Sequence, residues 1–148
     1  HNETYVKEVG VGECAGAVVD LVATLIYEAE EKLGWARDAF NEEQYSDAVY
    51  HAYNAQVVGA KALLTADEQK TNRQIGILND FQAFYGETGA FTHGADFKEH
   101  VLRIKEHPAE EAFARQYIAD AAQFLQEAKA YREEQLSTEN LESEHANA

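Results

Sequence analysis

The chain of 148 residues has one cysteine, one proline, one tryptophan and no methionine. A lone Cys14 excludes an internal disulfide framework and a thiolate metal cage, and it fits a reducing, cytoplasmic setting better than a secreted one. Basic residues are also scarce: 12 Lys and Arg stand against 27 Asp and Glu, a formal net charge of -15. Phosphate backbones are held by clustered Lys and Arg, and these are scattered here, so nucleic acid is not an expected partner. No apolar run is long enough to span a bilayer and no signal-peptide pattern is read, so no membrane partner is expected either. Because the chain starts at His1 and lacks Met, the expectation is a piece of a longer polypeptide.

What is present is helical periodicity. Residues 1–16 are the exception, with TYVKEVGVG followed by glycines; they read as a lead-in or the end of a preceding domain. From Ala17, the apolar residues Val18, Val22, Leu25, Ala29, Leu33, Ala36 and Phe40 fall on one helix face. The spacing of Asn41 and Gln44 predicts a capping box opening the next helix, over 43–65. That helix carries a stripe of Tyr45, Ala48, Ala52, Ala55, Gly59 and Leu63, small enough for another helix to come close. The short linker makes the pair an antiparallel hairpin. Thr71 and Gln74 predict a second capping box, before a helix over 73–85 with Ile75, Leu78, Phe81 and Phe84 or Tyr85 inward. A loop over 86–94 leads to a shorter helix over 95–107, capped by Asp96. Pro108 is expected at the first position of a last helix over 108–135, whose inner stripe is Phe113, Tyr117, Ala121, Phe124, Ala128 and Tyr131. The polar residues 136–148 are expected to be disordered. The sum is an all-α domain over 17–135, an antiparallel bundle of four or five helices.

Chemistry-bearing patterns are sparse. Glu142 and His145 have the spacing of a di-iron ligand pair but lie in the polar tail, where chance explains them. His93, Asp96, His100 and His107 form a second set, better read as solvated histidines with a capping aspartate. Cys14 is read as a packed side chain rather than a nucleophile. GVGECAG lacks the lysine of a phosphate loop, and Ala15 stands where G-x-G-x-x-G needs its last glycine. Asp47 and His51 share a helix face, with Tyr50, Tyr53 and Asn54 beside them; packing, a shallow ligand pocket and an interface all remain open. Trp35, Tyr45, Tyr50, His51, Tyr53 and Asn54 are therefore the candidate ligand or interface residues, and no catalytic or metal residue is assigned.

The stretch AEEKLGWARDAFNEEQYSDAVYHAYNAQVVGAKALL resembles the HEPN family, in which a long Leu- and Ala-rich helix, a short turn and a helix ending in K-A-L-L follow one another. NRQIGILNDFQAFY and ARQYIADAAQFLQEAKAYRE are similar to later helices of that family. Ribonuclease members carry Arg, four to six residues, then His. Arg103 and His107 have only three residues between them, so the resemblance implies a non-catalytic or degenerate member. VGVGECAGAVVDLVATLIYEAEEKLGWA also resembles the junction before the C-terminal helical domain of some bacterial sulfite or nitrite reductases. That resemblance implies an accessory domain with no cofactor of its own, sirohaem and an iron–sulfur cluster lying in the parent enzyme. The expected partner is that parent enzyme or a second copy in a homodimer. A nucleotide-binding or small-ligand-binding HEPN module is the alternative.

Overall fold

A computed structural model describes the backbone of residues 11–69 and 73–147, with side chains described over 16–69 and 73–140. Among the described residues five α-helices follow in order: α1 Val11–Asn41, α2 Tyr45–Ala66, α3 Gln74–Tyr85, α4 Phe97–Val101 and α5 Glu111–Asn147, with a 3-10 turn Leu102–Lys105 after α4. No strand occurs among the described residues. α2 is central, packing against α1, α3 and α5.

The periodic faces hold their places. Val22, Leu25, Ala29, Leu33 and Ala36 of α1 are buried, with Val18 and Phe40 packed at the edge of the core. Ala48, Ala52, Ala55, Gly59 and Leu63 of α2 are all buried. The small stripe does what its residue types permit: the Gly59 backbone lies so close to Leu125 and Phe124 of α5 that no side chain is accommodated without movement. Phe81, Phe91, Phe97 and Phe124 meet in edge-on and tilted ring contacts at one end of this core.

The helix ends differ from the expected capping boxes. Asn41 is the last residue of α1, and Gln44 at the head of α2 makes no side-chain cap. The turn instead closes by backbone bonds. Glu43 N–H donates to Phe40 O at 3.0 Å and Gln44 N–H to Ala39 O at 2.9 Å, with Glu43 at φ 60. This is a Schellman closure. The end of α2 repeats it: Glu68, at φ 62, donates to Thr65 O, and Gln69 donates to Leu64 O. Thr71 of the second expected box lies outside the described residues, and Arg73 at the head of α3 makes no side-chain cap. Asp96 does precede α4 but makes no cap bond; its carboxylate meets His93 instead. Pro108 lies before α5, in a turn where Glu110 N–H donates to Pro108 O.

In α3 the inward residues are Ile77, Leu78, Phe81 and Tyr85, whereas Ile75 and Phe84 are about half exposed. Ile75 sits in the first turn, so its place inward is taken by Ile77, a turn before Phe81. Tyr85 ties three elements together. Its hydroxyl donates toward Leu63 O and the Asp67 carboxylate, Gln135 donates to Asp67 at 2.8 Å, and buried Arg132 donates to Gln135 at 2.7 Å. Burial, then the bond to Asp67, pushes the Tyr85 phenol well above its ordinary pKa.

Helix also replaces irregular chain at both ends. α1 begins at Val11, inside the expected lead-in, and α5 continues to Asn147, through the expected tail. Residues 137–140 are exposed, so backbone hydrogen bonds rather than packing carry α5 there. Residues 1–10 and the side chains of Cys14, Glu142 and His145 lie outside the described residues.

Candidate functional site

The expected site residues divide between two environments. Trp35 on α1 meets His51 on α2 edge-on at 5.7 Å, and the Tyr50 ring lies 6.0 Å from His51. Lys32, bridged to Glu28 at 3.8 Å, stands 5.2 Å over the Trp35 ring. Trp35 is 45% and Tyr50 57% exposed. Tyr45 and Tyr53 are not part of this patch. Tyr45 packs on Phe40 at 5.3 Å, and the Tyr53 hydroxyl donates to Gln74 at 3.3 Å, with both rings against the core. Asn54 is half-buried. On the helix, Tyr50 points directly away from the stripe of Ala48, Ala52 and Ala55, and His51 borders the stripe on the side of Trp35; Tyr45 lies at the other border, and Tyr53 turns toward Gln74.

A second polar cluster forms where α4 meets α5. His93 and His100 stack with ring centres 3.6 Å apart and planes 8° from parallel. His93 Nδ1 lies 3.2 Å from Asp96. His100 Nε2 lies 3.8 Å from Asp120 Oδ2, which also accepts from Arg103 at 2.8 Å. Arg103 is fixed further by donating to His100 O at 2.9 Å and by lying over the Tyr117 ring. Burial, then the Arg103 and His93 charges, pushes the His100 imidazole down to about 4, against the pull of Asp120 and Asp96. It is neutral at neutral pH. Tyr117 donates to Val101 O at 2.7 Å, and burial raises its phenol above the ordinary range.

This cluster walls a cavity of about 10 Å³ with Gln56 on its inner side and Thr92, Gln123 and Glu127 toward solvent. Gln56 is fully buried, and its Oε1 accepts no hydrogen bond. The four residues His93, Asp96, His100 and His107 do not converge, and His100 is buried rather than solvated as expected. His107 leaves the group to stack on Phe113 at 4.9 Å, and stacked His93 and His100 turn ring faces, not nitrogens, toward each other. No group of three or more His, Cys, Asp or Glu among the described residues is placed to hold a metal ion. Arg103 and His107 do not form a joint site either, since Arg103 is committed to Asp120 and Tyr117. Sequence reasoning missed Gln56, Asp120 and Glu127; each is an ordinary polar residue on a helix, and only the packing joins them.

None of the described helices is long and apolar enough to cross a membrane. No curated protein and no solved structure matches the chain. The family model for the HEPN domain matches residues 22–130, from the buried part of α1 through most of α5. The chain belongs to the HEPN domain family.

Proposed function

We propose that this HEPN bundle is a non-catalytic interaction module that docks a basic-rimmed protein surface through α1 and the adjoining side of α2. The observation that carries the reading is the exposure of Trp35 and Tyr50, at 45% and 57%, around the shared contact with His51. The core is complete without these rings. Tryptophan and tyrosine are the residue types that most often anchor protein interfaces. Tyr27, 71% exposed, is a further exposed ring two turns earlier on α1.

The rim supports the choice of partner. Glu31 lies one turn before Trp35 and Asp38 just beyond it, while Asp47 lies one turn before Tyr50 and His51; all three acids are exposed. A second copy would set these acids against each other, on a chain of net charge -15. A surface bearing Lys and Arg around an apolar socket complements them. Such a surface can belong to a parent enzyme to which the module is appended or to a separate chain.

Site-specific photocrosslinking from benzoylphenylalanine at position 50, in cells that make the protein, tests the reading. The expected result is one discrete adduct whose contact peptide carries Lys or Arg, lost in Trp35→Glu. Trp35 lies outside the core, so that variant keeps the fold and loses about 1 kcal/mol from the His51 and Lys32 ring contacts, which a thermal melt checks. Adducts formed only between copies of this chain, or no discrete adduct, would sink it.

A further inference from the structure

We propose that the cavity between Gln56 and Glu127 is a binding site for a protonated primary amine. The proposal rests on the size of the cavity and on which hydrogen-bonding groups its wall leaves unused. At about 10 Å³ the cavity has room for one water-sized group, and an ammonium head is of that size. Its outer residues Thr92 and Gln123 are exposed, so an alkyl tail can run out to solvent.

The hydroxyl and amide donors of the wall are committed to neighbours. The Thr92 hydroxyl donates to Glu127 Oε2 at 2.6 Å, and Gln123 Nε2 donates to Thr92 Oγ1 at 3.0 Å. Gln56 Nε2 donates to Ala52 O at 3.3 Å, which fixes the amide orientation and leaves Oε1 as the unpartnered atom. Acceptor capacity remains: Gln56 Oε1 has no donor, and the carboxylates of Asp120, which accepts from Arg103 and Gln116, and of Glu127, which accepts from Thr92 and Gln123, keep lone pairs beyond those bonds. An anion or a carbonyl would meet two carboxylates, with only imidazole N–H groups free to donate to it. An ammonium group donates only, carries the complementary charge and satisfies a buried acceptor that otherwise costs stability. The charge of -15 raises the local concentration of any cation.

The ammonium can belong to a lysine side chain or to a polyamine. The test uses the full chain with 15N-labelled histidine, followed by NMR during titration with methylammonium chloride. Tetramethylammonium chloride, which has the charge but no N–H, is the control at equal concentration. The expected result is a saturable shift of the His100 ring resonances with methylammonium and none with tetramethylammonium. Gln56→Met removes the buried acceptor at similar length and should weaken the response about ten-fold; Glu127→Gln at the rim should weaken it by a similar order and leaves the inner wall intact. Nα-acetyl-lysine methylamide and spermidine then compete: whichever saturates at lower concentration assigns the source. Equal shifts from both ammonium salts, a response to Zn2+ but not to methylammonium, or no saturable His100 shift would overturn the proposal. The last of these is what a site for an ordered water only would give.

Discussion

The imidazole rings of His93 and His100 lie face to face at 3.6 Å, and the guanidinium of Arg103 sits beyond, on the carboxylate of Asp120. A proton added to His100 therefore enters a buried place next to a fixed cation and a second imidazole. Asp120 and Asp96 offset this only in part, so the folded-state pKa falls from 6.5 to about 4. Across that window the unfolded chain binds a proton that the folded chain refuses. Stability therefore rises with pH through the window, and it is lost as pH falls from 6.5 toward about 4. Urea midpoints measured across this range should fall toward acid, with a shallower slope in His100→Gln. An unchanged slope in that variant would assign the acid sensitivity to other groups.

Glu43 and Glu68 each hold the left-handed position of a Schellman closure, at φ 60 and φ 62. A side chain there costs roughly 1–2 kcal/mol that glycine does not incur, offset in part by the greater freedom of glycine in the unfolded chain. Glu43→Gly and Glu68→Gly should each raise stability by about 0.5–1 kcal/mol, and the pair should add, because the two turns lie at opposite ends of α2. Thermal unfolding of the two single variants and the double variant checks this. A loss of stability in either would show that its glutamate makes a contact stronger than the strain.

These same turns mark where the sequence stops being readable. The stripes of α1, α2 and α5 are legible because burial imposes a helical period on residue type, and Val22 through Ala36 or Tyr117 through Ala128 obey it without exception. The turns carry no glycine, the usual sign of a left-handed residue, so Asn41 and Gln44 read as a capping box although Asn41 is still helical. The contact between Trp35 and His51 follows from the hairpin and was within reach of the sequence. The Gln56 cavity was not. Asp120 meets Arg103 across 17 positions, and Thr92 meets Glu127 across 35, distances in sequence over which no local pattern speaks. A glutamine in an apolar stripe looks like an edge residue until the packing on both sides is known.

Gly59 sets how closely α2 and α5 approach. A Cβ at this position would stand 2.7 Å from Leu125 Cδ2 and 3.2 Å from Phe124 Cε2. Alanine gains about 1 kcal/mol of helix propensity, while overpacking a filled core costs about 1–3 kcal/mol. The Leu125 methyl can turn aside, but Phe124 is held among Phe81, Phe91 and Phe97. Gly59→Ala should therefore lose about 1 kcal/mol and Gly59→Val roughly 2–3 kcal/mol, read from urea unfolding. A stabilised Gly59→Ala would mean that the two helices can separate at little cost.

Gln56 gives the opposite expectation for a core substitution. Its side chain is fully buried, its Oε1 accepts nothing, and its amide N–H groups donate to Ala52 O at a long 3.3 Å and toward the Tyr117 phenol. Ala52 O lies within α2 and keeps its helical bond from the backbone N–H of residue 56 whatever the side chain is. A buried acceptor left without a partner costs about 1–3 kcal/mol, and methionine fills similar space with an adaptable apolar chain. Gln56→Met should therefore stabilise the ligand-free protein by about 1 kcal/mol while weakening its response to methylammonium. Gln56→Ala should destabilise it, because a void opens beside Phe97 and Phe124. The contrast separates a polar group kept for binding from one kept for packing. A methionine variant that is both less stable and unchanged toward methylammonium would show that the amide serves the fold alone, satisfied in solution by a bound water.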